Sequence, residues 1–282
     1  MIHYTTNLFG KDTKIHVTQE VRKDGSVNVN INPMREDEFG YNTERVSVTA
    51  HMSNPADQMA LFFATDALRR RYPLAKFFLI IPYLPYARQD RVCNEGESHN
   101  LKVFCDMINN LKYDVVQVFD PHSIVATALL NNVEVVTQFE LFGSLKTSWS
   151  EWTIVAPDAG ATKKCEDFAK RVGAAGVITC QKTRDMKTGE ITDMVLMGGD
   201  KHSVQENLFV LDDICDGGRT FIELAKLLKS RYPAEIELGV THGIFSYGFE
   251  VVAEHFDHVY TTNSFRSDLN DPEWEGLTVI EI

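Results

Sequence analysis

The sequence predicts an α/β protein in two similar parts, each a mainly parallel sheet flanked by helices. Short apolar runs rich in β-branched and aromatic residues alternate with longer amphipathic stretches, the pattern of strands joined by helical crossovers. The alternation recurs in both halves of the chain, with no low-complexity linker between them and no clear sequence repeat.

In the first half, residues 46–50 read as a strand. Asn54 then offers an N-cap and Pro55 a first-turn proline for a long helix. Residues 76–81 form a compact apolar strand, Ser98 reads as the cap of the next helix, and 114–119 as the strand after it. A helix near 123–130 and a short strand at 133–137 complete this half. In the second half, strands are expected at 152–156, 176–180, 207–211, 235–241 and 259–262, with helices at 161–171, 218–230 and 249–255. The tail, 277–282, reads as a closing edge strand. The boundary falls between 139 and 150, giving domains 1–142 and 143–282. Between Gln181 and Gln205 the rhythm stops. That polar stretch has a Lys-Thr-Gly-Glu turn between two segments able to pair as a hairpin, and such long excursions are usually functional or disordered.

The chain has 282 residues, 44% hydrophobic and 24% charged, the balance of a soluble globular protein. A formal charge of -12 argues against a nucleic-acid partner, since phosphate backbones demand a basic face. Five scattered cysteines without a CxxC pair read as free thiols in a reducing compartment. The first residues show no apolar signal region, and KFFLIIPYLPY is too short and proline-broken to span a bilayer. The expected location is cytoplasmic, with no membrane partner.

The strongest local signal is VLDDICDGGRTF, residues 210–221. An apolar strand delivers Asp212 and Asp213 to its carboxyl end, Asp216 opens a Gly217-Gly218 turn, and Arg219 and Thr220 lead into a helix. Glycines let backbone N–H groups approach an anion, and the helix start adds its positive end. The carboxylates suit ribose hydroxyls or a divalent cation. An acidic cap before a tight turn would explain Asp-Gly-Gly alone, but not the whole arrangement.

Residues 212–220 resemble the phosphoribosyl-binding loop, Asp-Asp-x-x-Asp-Thr-x-x-Thr, shared by phosphoribosyltransferases and ribose-phosphate pyrophosphokinases. They depart from it at Gly217, where a Thr is usual, and so lose one hydroxyl contact to a 5-phosphate. Arg219 is of a kind familiar in some transferases. IPYLPYARQDR, residues 81–91, resembles a stretch of the pyrophosphokinases that the transferases lack. This proline-stiffened loop presents Arg88, Gln89, Asp90 and Arg91 at the end of a buried strand, where open α/β sheets bind ligands. A solvated charge run is the alternative for those four residues.

FDPHS (119–123) and APDAG (156–160) resemble the family's Asp-x-His and Pro-Asp-x-Gly segments. The resemblance implies that His122 and Asp158 face the metal of Mg-ATP, although neither segment alone would say so. Lys182 and Arg184 match the Lys-x-Arg of the family's flexible catalytic loop, whose two cations can stabilise charge on a transferring diphosphoryl group. Taken alone, the pair reads as an exposed basic hairpin. Asp24-Gly25-Ser26 resembles an Asp-Gly-Glu segment that reaches the adenine of a neighbouring subunit, with Ser26 in place of the Glu. THGIFS (241–246) and TTNS (261–264) resemble stretches near the family's C-terminus.

The resemblance runs from about residue 24 to 270, with a short lead before Asp24. It implies two phosphoribosyltransferase-type domains, Mg2+ as cofactor, ATP and ribose 5-phosphate as substrates, and a homo-oligomer, either dimer or hexamer. The implied reaction moves the β,γ-diphosphoryl group of ATP to the C1 hydroxyl of ribose 5-phosphate and releases AMP. A phosphoribosyltransferase, which would leave 81–91 and 119–123 unused, and a silent regulatory homologue are the competing readings.

Overall fold

The computed structural model of the chain describes residues 2–8, 11–15, 17–31, 43–184, 191–198, 204, 207–266, 268–269 and 276–282. The chain divides into two compact units, Met1–Val136 and Thr137–Ile282.

In the first unit the elements are β1 (Ile2–Leu8), β2 (Lys11–Ile15), β3 (Val17–Val21), β4 (Val27–Ile31), β5 (Arg45–Ala50), α1 (Pro55–Arg71), β6 (Lys76–Ile81), α2 (Asn100–Asn110), β7 (Val115–Phe119), α3 (Ile124–Leu129) and β8 (Val133–Val136). Six of the strands form one sheet in the order β2-β1-β5-β6-β7-β8. β5 to β8 run parallel, and β1 and β2 extend the β5 side as an antiparallel hairpin. β3 and β4 form a separate two-stranded ribbon, tied to α1 by the Gln19 amide, which donates to Asp57 Oδ1 at 3.1 Å.

Local chemistry explains the helices. Asn54 Oδ1 accepts from Asp57 N at 3.0 Å, Pro55 occupies the first turn, and three arginines in the last turn of α1 complement its negative end. α2 buries Leu101, Phe104, Cys105 and Ile108, a stripe at helical spacing. Its start corrects one sequence expectation. His99, not Ser98, occupies the N-cap position, with no side-chain cap bond, because the Ser98 hydroxyl is engaged by Asn100 Oδ1. Strand β6 buries Phe77, Leu79 and Ile81 at the centre of the unit's core.

The second unit contains α4 (Gln138–Phe142), β9 (Trp152–Ala156), α5 (Thr162–Val172), β10 (Gly176–Arg184), β11 (Ile191–Met197), β12 (Asn207–Cys215), α6 (Arg219–Arg231), β13 (Glu235–Gly243), α7 (Glu250–Ala253), β14 (His258–Thr262) and β15 (Leu277–Ile280). Seven strands run in the order β11-β10-β9-β12-β13-β14-β15, all parallel except β11, which pairs back on β10. The tail forms the edge strand expected of it. Both sheets therefore share a layout: a hairpin lies beside one strand, followed by further parallel strands.

β9 is buried along its whole length. Beneath it lies an aromatic cluster in which the Trp149 ring meets Phe168 and Phe209 edge-on, each at 5.1 Å, and Trp149 Nε1 donates to Gly143 O at 2.8 Å. No described helix is long and apolar enough to cross a membrane.

Candidate active site

In each unit several of the sequence-selected residues lie at or just beyond the carboxyl ends of parallel strands, where open α/β sheets bind ligands. In the first unit β6 ends at Ile81 and the chain enters a stiff turn whose Pro82, Leu84, Pro85 and Ala87 are buried. Tyr86 takes a positive φ of 63°, packs its ring 5.2 Å from that of Phe104, and donates its hydroxyl to Gln58 Oε1 at 2.8 Å. This buried base leaves Arg88 and Gln89 exposed. The Asn100 amide donates to Gln89 Oε1, fixing that side chain against the start of α2.

Asp90 pairs with Arg91 at 2.9 Å and also accepts a hydrogen bond from the Ser123 side chain. Arg91 first, then Ser123, holds the Asp90 carboxyl below its ordinary range. Ser123 also caps α3, accepting from Val125 N at 3.2 Å. The two loops selected from the sequence, 81–91 and 119–123, are thus joined within one unit. His122 is exposed on the second of them, beside the buried Asp120, whose φ is 35°. Asp24 and Gly25 form the exposed tip between β3 and β4. Asp24 Oδ1 accepts from Ser26 N at 3.0 Å and from the Ser26 hydroxyl at 2.7 Å, so Ser26 serves the turn itself.

In the second unit Asp158 follows β9, and its Oδ1 accepts from Gly160 N at 2.9 Å and Ala161 N at 3.1 Å. β12 extends past the expected end and carries Asp212 and Asp213 within its paired length, Asp212 opposite Val240 of β13. Asp213 is buried and accepts from Lys164 Nζ at 2.8 Å. Burial first, then the neighbouring Asp213 charge, pushes the Asp212 carboxyl well above the ordinary carboxylate range. Asp158 adds to the rise, while the Asp213 amide and Lys164 oppose it. Asp158, Asp212 and Asp213 therefore form one crowded acidic group, balanced in part by Lys164.

Beyond Cys215 the chain turns through Asp216 and Gly217 to Gly218, which takes φ 77° at the N-cap of α6. A Cβ at Gly218 would lie 2.4 Å from Val252 Cγ2, so glycine is required there on two grounds. Arg219 is exposed at the first helical position and Thr220 follows it, half-buried.

Lys182 and Arg184 stand on β10, their Cα positions paired with Met194 and Ile191 of β11, with a register shift between Thr183 and Arg184. The two segments expected to form a hairpin do pair. The Lys-Thr-Gly-Glu turn at 187–190 lies outside the described residues. Among the described residues no group of three or more His, Cys, Asp or Glu side chains forms a metal cage.

Sequence reasoning did not single out Lys164 or Tyr247. A signal existed for Lys164: two adjacent carboxylates at the end of a buried strand need a cation nearby, and Lys163 and Lys164 follow the Asp158 turn.

Residues 11–111 match the family model described as the N-terminal domain of ribose phosphate pyrophosphokinase. The chain is 29% identical over 243 residues to a ribose-phosphate pyrophosphokinase of Mycoplasmopsis pulmonis, covering 84% of this chain and 74% of that protein. The enzyme of the same name from Cereibacter sphaeroides is 29% identical over 211 residues, covering 72% of this chain and 61% of its own length. The chain is thus similar to ribose-phosphate pyrophosphokinases along most of its length, and its residues 11–111 to their N-terminal domain. Its fold matches the crystal structure of a phosphoribosylpyrophosphate synthetase from Mycobacterium smegmatis, with a TM-score of 0.74 at 20% identity. That likeness covers 95% of this chain and 86% of the other.

Proposed function

We propose that this chain is a ribose-phosphate diphosphokinase, transferring the β,γ-diphosphoryl group of Mg-ATP to the C1 hydroxyl of ribose 5-phosphate and releasing AMP. The observation that carries this reading is one chain holding two loops at strand carboxyl ends. The loop at 81–91 is shaped to present Arg88 and Gln89, and the loop at 212–220 leads from paired carboxylates into a glycine turn and a helix start. Similarity to ribose-phosphate pyrophosphokinases supports the same reading.

The turn at Asp216, Gly217, Gly218, Arg219 and Thr220 would hold the 5-phosphate with main-chain N–H groups and the positive end of α6. Asp212 would accept from ribose hydroxyls, donors that would favour a carboxylate whose charge is opposed by burial and by Asp213. Asp213, locked to Lys164, would keep the strand end in place. Arg88 and Gln89 would bind ATP, with Asp90 fixing their loop through Arg91 and Ser123. Asp24 and Gly25 would lie against the nucleotide of a neighbouring subunit in a homo-oligomer. Lys182 and Arg184 would stabilise the charge that develops as the C1 oxygen bonds to the β-phosphorus and AMP departs.

Mg2+ takes hard oxygen donors and is commonly held by one or two carboxylates together with substrate phosphates. The crowding of Asp158, Asp212 and Asp213 fits such a cation, because added positive charge relieves it. Asp158 would hold it, and a role for His122 at the metal rests on the resemblance of 119–123 alone. When bound, Mg2+ would neutralise charge on the β and γ oxygens of ATP. We place this reaction in the cytoplasm, in the supply of activated ribose for nucleotide synthesis.

The test is to incubate the purified protein with Mg-ATP and ribose 5-phosphate and separate the nucleotides. AMP formed in step with phosphoribosyl pyrophosphate, and only with sugar present, is the expected result. ADP in its place would overturn the reading. Base-dependent consumption of phosphoribosyl pyrophosphate would mark a phosphoribosyltransferase instead.

A further inference from the structure

Gly217 is a glycine that its backbone does not require. Unlike Gly218, it does not take a φ in the left-handed region, so an L side chain fits its main chain. What excludes a side chain is Tyr247. A Cβ built on Gly217 would lie 2.9 Å from Cε2 and 3.1 Å from Cδ2 of that ring, with Ser246 Oγ 3.9 Å away. No demand of the core put the ring there, because Tyr247 is 77% exposed. The main chain holds it in place. Ile244 N and Phe245 N donate to Cys215 O at 2.9 and 3.1 Å, and Ser246 N donates to Asp216 O at 3.1 Å. Phe245 takes φ 46° to make that turn, and its own ring is buried. Residues 244–246 are thereby fastened to the turn at 215–216, and an exposed aromatic ring and a hydroxyl occupy the flank from which a side chain at 217 would project.

We propose that Tyr247 and Ser246 together replace the side chain absent at Gly217 and form one wall of the pocket for the phosphate of a pentose 5-phosphate. This rests on the reading of 216–220 as the phosphate-holding turn. The ring of Tyr247 covers the flank of the turn and keeps water from the anion, which strengthens its attraction to the main-chain N–H groups. The hydroxyl of Ser246 supplies the hydrogen bond that a Thr at 217 would give. Tyr247 and Ser246 are thus determinants of sugar-phosphate affinity, separate from the ATP-binding residues of the other unit.

The experiment compares the purified full chain with Tyr247→Ala, Gly217→Thr and the double variant. It measures KM for ribose 5-phosphate and for Mg-ATP separately, with ribose 5-phosphate binding followed by calorimetry. Losing one wall and its hydrogen-bonding geometry is expected to raise the sugar KM of Tyr247→Ala by about fivefold to twentyfold, with KM for ATP unmoved and a smaller effect on kcat. Gly217→Thr alone is expected to weaken sugar binding, because Thr and the ring compete for one space. In the double variant the Thr fills the vacated space, so the two effects combine to much less than their product.

An unchanged sugar affinity in Tyr247→Ala overturns the proposal. So does a simple product in the double variant, or an equal rise in both KM values with a lowered melting temperature. Wild-type protein that binds ribose 5-phosphate yet forms no AMP overturns the proposed reaction alone, and the calorimetric comparison still decides the role of Tyr247. Wild-type protein that binds no ribose 5-phosphate overturns both.

Discussion

Lys164 donates from Nζ to Oδ2 of Asp213 across 2.8 Å, joining helix α5 to the carboxyl end of strand β12. The pair does more than hold two elements together. Asp213 is buried directly beside Asp212, and Lys164 is the cation that opposes the rise of the Asp212 carboxyl.

Replacing Lys164 by Met is therefore expected to remove the cation that faces a buried carboxylate lying next to a second one. Breaking a buried pair costs about 3–5 kcal/mol, and the partial exposure of Lys164 brings the expected loss to on the order of 2 kcal/mol. A urea titration at neutral pH should show a lower midpoint with unchanged slope, and an unmoved midpoint would mean that the pair contributes nothing net.

Asp212→Asn is expected to stabilise the protein without substrate while weakening sugar binding. The folded-state pKa of Asp212 is raised. The folded protein therefore holds a proton that the unfolded chain releases near pH 4, and stability falls as pH rises from there through the folded pKa. Asn carries no charge to desolvate and keeps the side-chain oxygen that accepts from Asp213 N. Melting temperatures of variant and parent should converge at acid pH and separate, with the variant higher, toward neutral and above. A variant that melts lower at neutral pH would refute this account.

Gly218→Ala meets two obstacles, the positive φ of 77° and Val252 Cγ2 at 2.4 Å from the added carbon. A loss of about 1–3 kcal/mol is expected, together with weaker ribose 5-phosphate binding, since the turn must shift to admit the methyl group. Parental stability in denaturant would show that the turn is freer than its geometry indicates.

Lys182→Ala is expected to lower turnover by roughly a hundredfold or more while leaving binding of both substrates nearly intact, as for a charge needed mainly in the transition state. Rapid-quench measurement of AMP formation, beside calorimetric affinities, separates the two effects. Unchanged turnover would remove Lys182 from the chemistry.

Much of the fold was legible because the parallel strands are continuous apolar runs. Residues 76–81 and 152–156 appear as strands with the expected limits. Strand ends were less legible. β12 continues through Asp212 and Asp213 to Cys215, and β10 continues past Cys180 to Arg184. Carboxylates and charged residues are poor strand formers, yet the hydrogen bonds offered by β13 and β11 outweigh that local preference. The β1–β2 hairpin was missed because its polar sequence shows no apolar alternation, and its pairing depends on the neighbouring β5. Around the site, the motif residues could be read in order, but the linkages Asp90–Ser123 and Lys164–Asp213 join residues 33 and 49 positions apart. The approach of Tyr247 to Gly217 is likewise a product of tertiary hydrogen bonding that no local pattern records.

The aromatic cluster beneath β9 gives the molecule an unequal optical signature. All 3 tryptophans, at positions 149, 152 and 274, fall after Val136, and the two in the cluster have ring centroids 6.1 Å apart. Selectively excited tryptophan emission therefore reports on the second unit, while the first is silent. Circular dichroism sees both. In one denaturant series, coincident curves would mean that the units melt as a single cooperative block, and separated curves would give the stability of each without cutting the chain.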